Sequence, residues 1–451
     1  MKKKVYMLII GMLLLIPFTA NAAAIALTQS DFDNSTNGVT FYNGTYRYEL
    51  AAGDYLLGEN ITLVNGGFIT PTGDVNLDLN SKSITGNYTY VISLNGGRSL
   101  TITGPGQIIN SRSNVIGTAV GAYGNSRLTI NGGEFTKISA QGQSTVTINN
   151  IAGGVLNASS DSTSIINNAD SLYINADYRA KVTVNGGNIS GDLTAIENST
   201  VTINEGANIA GQVMVAGYAG NTSTDRVTLI VNGGTMRGIN TSYTRYSGHV
   251  DVTINGGKIE TGRSAIYLYR DCNLTIKGGQ IKSTDGSGIF VVFDEPGSTI
   301  KITDGLIQGT ENGLFVGTDT TNILLTGGKF VASGATAKGG IVFTDANGSV
   351  DFNSLLGSGY MYKPTLNVTF DPDDEVSYTQ KEIQVVRRPN ENNTSNNENE
   401  SSSNETTEKK AGKKEKAKNP KTGDSILMYI SMFGLSIIGL SGVALYYKKL
   451  N

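Results

Sequence analysis

One phrase recurs through the middle of this chain and limits it to very few folds: apolar, polar, apolar, polar, Gly-Gly, any residue, apolar. It reads Leu128-Thr-Ile130-Asn-Gly-Gly to Phe135, and Val182-Thr-Val184-Asn-Gly-Gly to Ile189. It returns at Leu229 to Met236, Val252 to Ile259, Leu274 to Ile281 and Ile323 to Phe330. Val201-Thr-Ile203 and Ile300-Lys-Ile302 are degenerate copies in which one glycine is replaced. Alternation with a period of two inside each copy specifies strand rather than helix. From Ile203 the second apolar position falls at Val231, Ile254, Ile276, Ile302 and Leu325, in steps of 28, 23, 22, 26 and 23 residues. A repeat of that size is a solenoid signature. The Leu-rich pattern and helical stretches of leucine-rich repeats are missing.

A second ladder keeps the same period. Ile266-Tyr-Leu268, Ile289-Phe-Val291, Leu314-Phe-Val316 and Ile341-Val-Phe343 each follow a Gly-Gly phrase in turn. Each turn of chain therefore holds at least two strands, and a third short one after the glycine corner. The expected fold is all-β: a right-handed parallel β-helix of about 20–28 residues per turn, its strands stacked about 4.8 Å apart. Glycine at the corners admits backbone conformations closed to other residues. The stretch 149–179 carries no clear copy, and its turns are not placed from sequence.

Val75-Asn-Leu77-Asp78-Leu79-Asn80 to Ile84, then Leu100-Thr-Ile102 to Gly106 and Ile108, resembles the opening of pectate-lyase-like β-helix domains of Gram-positive surface proteins. Leu355-Leu356-Gly357-Ser-Gly359-Tyr360 resembles the way such domains close. The resemblance covers roughly residues 45 to 386 and speaks for architecture, since one fold carries many functions.

Composition agrees. With 57 glycines, no tryptophan, 38% hydrophobic and 16% charged residues, the chain suits many short strands and turns better than a helical domain. A net charge of −3 gives no ground for nucleic acid as a partner. The single cysteine, Cys272, excludes an internal disulfide framework and is expected to be buried and inert.

The two ends carry targeting signals. Lys2, Lys3 and Lys4, an apolar run from Val5 to Ile16, and Ala20-Asn21-Ala22 read as a signal peptide over residues 1–22, cut between Ala22 and Ala23. At the other end Asn419-Pro420-Lys421-Thr422-Gly423 precedes 20 uncharged residues, Ile426 to Leu445, long enough to span a bilayer. Tyr446-Tyr447-Lys448-Lys449 then supplies interfacial aromatics and cytoplasmic positive charge. The pentapeptide is similar to the LPxTG signal of sortase substrates, with Asn419 in place of the leading Leu. That resemblance implies cleavage between Thr422 and Gly423 and transfer of the Thr422 carboxyl to peptidoglycan, after transient membrane insertion. The expected organisation is a signal peptide at 1–22, a lead-in at 23–44, a β-helix at 45–370, closing strands at 371–388, a disordered Asn/Ser/Glu- then Lys-rich linker at 389–418, and a sorting signal at 419–451.

Enzymes of the pectate-lyase-like fold use clustered acids with a base. The only histidine, His249, lies in a Tyr/Arg/Ser-rich excursion, the Asp373-Asp374 pair falls past the last turn, and Arg263 and Arg270 have no acidic cluster beside them in sequence. A polysaccharide lyase or glycoside hydrolase is therefore the second reading, and a spacer without a ligand a third. The first is a non-catalytic adhesin or glycan-binding protein without a required cofactor, its partners host or microbial glycans. Its candidate face is the outward row Tyr267, Phe290 and Phe315, with Val342 next in line and Tyr269, Tyr243 and Tyr246 extending it. Asp271, Asp294, Asp319 and Asp345 recur at steps of 23, 25 and 26 residues after the second ladder. They form a column that either bonds its own turns or shares calcium.

Overall fold

The computed structural model describes residues 23–64, 66–112, 117–217, 225–241, 248–269, 271–292, 298–317, 322–344 and 350–389. The signal peptide, the linker beyond Pro389 and the sorting signal, including the 426–445 span, lie outside the described residues. Among the described residues no helix is long and apolar enough to cross a membrane.

The fold is all-β, with long parallel sheets compatible with a β-helix solenoid. The recurring phrase forms the first ladder. Val75–Asp78 pairs in parallel with Ser99–Thr103, that with Arg127–Ile130, and so on strand by strand to Asn322–Leu325. The second ladder runs alongside from Arg47–Leu50 to Ile341–Thr344. Short corner strands such as Lys258–Thr261, Gln280–Ser283 and Leu306–Gly309 make the third.

Pairing is in register, so each inward position meets the same position one turn away. Leu128, Val146, Val182, Val201, Leu229, Val252, Leu274 and Ile300 are all 0–1% exposed, as are Ile266, Ile289 and Leu314. The column is apolar except at Ser164, which holds this position between Val146 and Val182 and is fully buried. Each fully buried branched side chain contributes about 1.5–3 kcal/mol.

The turns that sequence could not place are shorter than the rest. Arg127, Thr145, Thr163 and Lys181 align directly, at 18 residues per turn. This corrects the expected 20–28 range. The turn from Arg127 keeps Gly132-Gly133 and a two-residue corner strand, Glu134–Phe135. In the next two the Gly-Gly becomes Asn150-Ile151 and Asn168-Ala169 with no separate corner strand, so the glycine signal is lost and the period falls below the expected range.

The residue before the glycine corner does further work. Asn131, Asn149, Asn167, Asn185, Asn204, Asn232 and Asn255 form a ladder in which each side-chain amide donates to the carbonyl of the one before, at 2.6–2.9 Å. Each interior Asn thus donates and accepts once along the stack. The corner glycines are needed for their backbone: Gly257 has φ of +94°, and a Cβ there would lie 2.9 Å from backbone atoms of the turn below.

Both ends of the stack are closed. Ile25–Leu27 pairs in parallel with Tyr55–Leu57, so the parallel sheet starts inside the expected 23–44 lead-in. The helix Gln29–Asn34 follows, and its buried Phe32 packs edge-on to Tyr48 at 5.4 Å. At the far end Val376–Thr379 pairs antiparallel with Ile341–Thr344, and Glu382–Arg387 with Lys329–Ala332. The closing strands begin at Tyr360, ahead of the expected 371, because the last parallel strands must have their edges covered.

Two outcomes check this arrangement. Asn185→Ala removes a donor and an acceptor from the middle of the ladder and is expected to cost about 1–2 kcal/mol in denaturant unfolding. Cys272 is fully buried and burial pushes its thiol well above the usual range, so the native protein should not react with a thiol reagent until denatured.

Candidate aromatic groove

The second ladder places Tyr267, Phe290 and Phe315 directly opposite one another on three successive turns. Their neighbours Ile266, Ile289 and Leu314 point inward, which leaves the three rings outward and half-buried. The rings do not lie flat on the sheet. Tyr267 and Phe290 stack at 5.3 Å with 13° between planes, and Phe290 and Phe315 at 4.7 Å with 9°. Phe290 therefore has both faces covered by its neighbours. Val342, the next position, is 1% exposed and pairs with Tyr378 of the closing strands, so the row ends there. On the other side the ring above Tyr267 is missing, because its partner one turn back is Asn240.

That gap opens a groove of about 780 Å³. Tyr267, Phe290, Asn240, Arg237, Arg263, Asp192, Asp285 and Glu311 line it. Arg263 stands two residues beyond Thr261, Asp285 two beyond Ser283, and Glu311 two beyond Gly309, each just past its corner strand. The same corner on successive turns therefore supplies a cation and two carboxylates beside an aromatic ring. Sequence reading took Arg263 as isolated. The signal was present as a fixed offset after the corner strand, visible only once those strands are placed. A groove of about 700 Å³ at the Gly104–Asp170 corner carries neither an aromatic nor a basic side chain.

Tyr269 is outward on the same strand, and its N–H donates to Thr241 Oγ1 at 2.8 Å. Tyr243, Tyr246 and Arg270 lie outside the described residues, as do the sorting residues Asn419, Pro420, Lys421, Thr422 and Gly423. Ala22 is also outside them, and Ala23 is the first described residue. Of the aspartate column, Asp294, Asp319 and Asp345 are outside the described residues, and Asp271 is engaged with His249.

His249 opens the strand His249–Ile254, in register with Arg226, rather than sitting in a loop excursion. Its Nδ1 is 2.6 Å from Asp271, and its Nε2 lies 2.6 Å from Arg226 and 2.9 Å from the Asn273 amide. Nε2 also lies 3.0 Å from Asp251 Oδ1, so the ring sits between two carboxylates, Asp251 and Asp271, with Arg226 and Asn273 at its edge. Arg226 also pairs with Asp251. Both ring nitrogens are thus engaged with residues of the turns on either side. Among the described residues no group of three or more His, Cys, Asp or Glu side chains is arranged to hold a metal ion.

Compared with family models, with curated proteins and with solved structures, the chain matches none.

Proposed function

We propose that this protein is a secreted, wall-anchored surface protein whose right-handed parallel β-helix displays a non-catalytic binding groove for glycans. The observation that carries the binding reading is Tyr267, the last ring of the stacked row, lining a groove with Arg237, Asn240, Asp285 and Glu311. An aromatic face packs against the C–H face of a sugar ring, while amide, guanidinium and carboxylate groups at its edge exchange hydrogen bonds with hydroxyls. Phe290 and Phe315 act behind it: stacked in series, they hold the Tyr267 ring upright. The N-terminal signal, the Lys-rich linker and the Asn419–Gly423 motif with its apolar span support export and covalent attachment to peptidoglycan by a sortase.

A second reading has a specific observation in its favour. Asp285 and Glu311 come from the same corner of adjacent turns, beside Arg263, and paired carboxylates with a cation are what cleavage of a glycosidic bond by hydrolysis or elimination would use.

The purified protein, screened against a polysaccharide panel and assayed for released reducing or unsaturated ends, separates the two. Binding without turnover is expected. Tyr267→Ala should weaken it at least about tenfold, equivalent to about 1.4 kcal/mol, while Tyr267→Phe keeps most of it and Phe315→Ala loses less than Tyr267→Ala. Turnover abolished by Asp285→Asn or Glu311→Gln would replace this reading with the enzymatic one. For anchoring, Thr422→Ala should move the protein from the muramidase-released wall fraction to the membrane fraction. Unchanged wall linkage would refute the sorting assignment.

A further inference from the structure

We propose that Asp177 and Glu197 form a binding site for a divalent cation that takes oxygen ligands, independent of the glycan groove and not dependent on it. The two residues sit at the same corner on consecutive turns, where the second ladder passes into the first. Asp177 follows the strand Leu172–Ala176 and Glu197 follows Leu193–Ile196. The corner is tight: Tyr178 and Arg179 have φ of 41° and 65°, Glu197 and Asn198 of 52° and 62°. The Arg179 N–H donates to the Glu197 carbonyl at 3.0 Å, which locks one turn onto the next.

Glu197 is only 8% exposed, yet its Oε2 has no hydrogen-bond partner, and the Oδ1 of Asp177 is likewise buried and unpartnered. Buried polar oxygens are nearly always satisfied, so two at one corner call for a ligand. Their electrostatics agree. Burial, then the nearby Glu197 charge, raises the Asp177 carboxyl to about 6. Burial also raises Glu197, partly offset by a hydrogen bond from Tyr178, and the Asp225 charge one turn further adds to the rise. Negative charge without a counter-ion is therefore concentrated here, whereas the neighbouring Asp161 is neutralised by Arg179 at 2.7 Å. Among the described residues no third carboxylate joins such a group. Two carboxylates supply the charge, and carbonyls and water complete a shell of the kind Ca²⁺ accepts.

The sign of the pH dependence follows. With the Asp177 carboxyl raised to about 6, the cation-free protein loses stability as pH rises from the ordinary carboxylate range through about 6, and the raised Glu197 carboxyl acts in the same direction. A cation that needs both ionised binds with increasing affinity over the same interval.

Terbium and calcium are the probes, used on the whole protein. Tb³⁺ luminescence excited through tyrosine, with Tyr178 adjacent, should appear at pH 7.5, be displaced by Ca²⁺, and fall at least about tenfold in affinity in Asp177→Asn and in Glu197→Gln. In the unaltered protein Ca²⁺ should raise the Tm at pH 7.5, with the increment gone at pH 5. This needs no variant to fold. Terbium binding unchanged in both variants, or a calcium increment equal at pH 5 and 7.5, would overturn the site. Since the probe is a metal alone, failure here leaves glycan binding untouched, and failure of glycan binding leaves this result standing.

Discussion

Everything in this molecule depends on parallel stacking in register. When each strand pairs with its own counterpart one turn away, at a spacing of about 4.8 Å, every side chain meets the same position of the next turn. Apolar residues then build one unbroken core, amides build a ladder, and any outward residue that recurs becomes a row. The Asn131 to Asn255 ladder is the clearest consequence. Seven amides joined by six bonds, the five interior ones each donating and accepting once along the stack, reinforce register, because a slip of one residue toward the strand would replace each amide with an apolar side chain.

The same constraint explains both sites. Aromatic residues on consecutive turns cannot present three open faces to a sugar, because rings at strand spacing stack on each other. The stack ends at Tyr267, where the position one turn back is Asn240 and no further ring follows. Acidic residues on consecutive turns face the opposite problem: like charges at strand spacing repel and must be paired, protonated or bridged. Asp161 with Arg179 and Asp271 with His249 are paired. Asp177 and Glu197 are not.

Much of the architecture was legible in the residues. The first and second ladders and the inward sense of Ile266, Ile289 and Leu314 follow from period-two alternation repeated at a common interval, while the burial of Cys272 was expected of a lone cysteine. The 18-residue turns were not legible, since Asn150-Ile151 and Asn168-Ala169 carry none of the glycine signal while filling the same corner. The groove was half legible: Tyr267 and Phe290 announce themselves by register, but Arg263, Asp285 and Glu311 sit in corners, where the residue types are polar in every turn and only the three-dimensional offset shows that they converge. Stacking of the rings was hidden for a different reason. Sequence spacing gives the side of the sheet a residue faces, and the orientation of its ring depends on the neighbours above and below.

The central claim is that the end of the aromatic row is where a glycan meets the protein. Hydroxyl-radical footprinting of the purified protein, with and without a saturating polysaccharide from the binding screen, reads this without any substitution. The account requires protection concentrated at Tyr267, with lesser protection at Phe290 and none at the Tyr42, Tyr46 and Tyr88 rings far from the groove, all of which are exposed. Protection at those distant tyrosines with Tyr267 unchanged would contradict it.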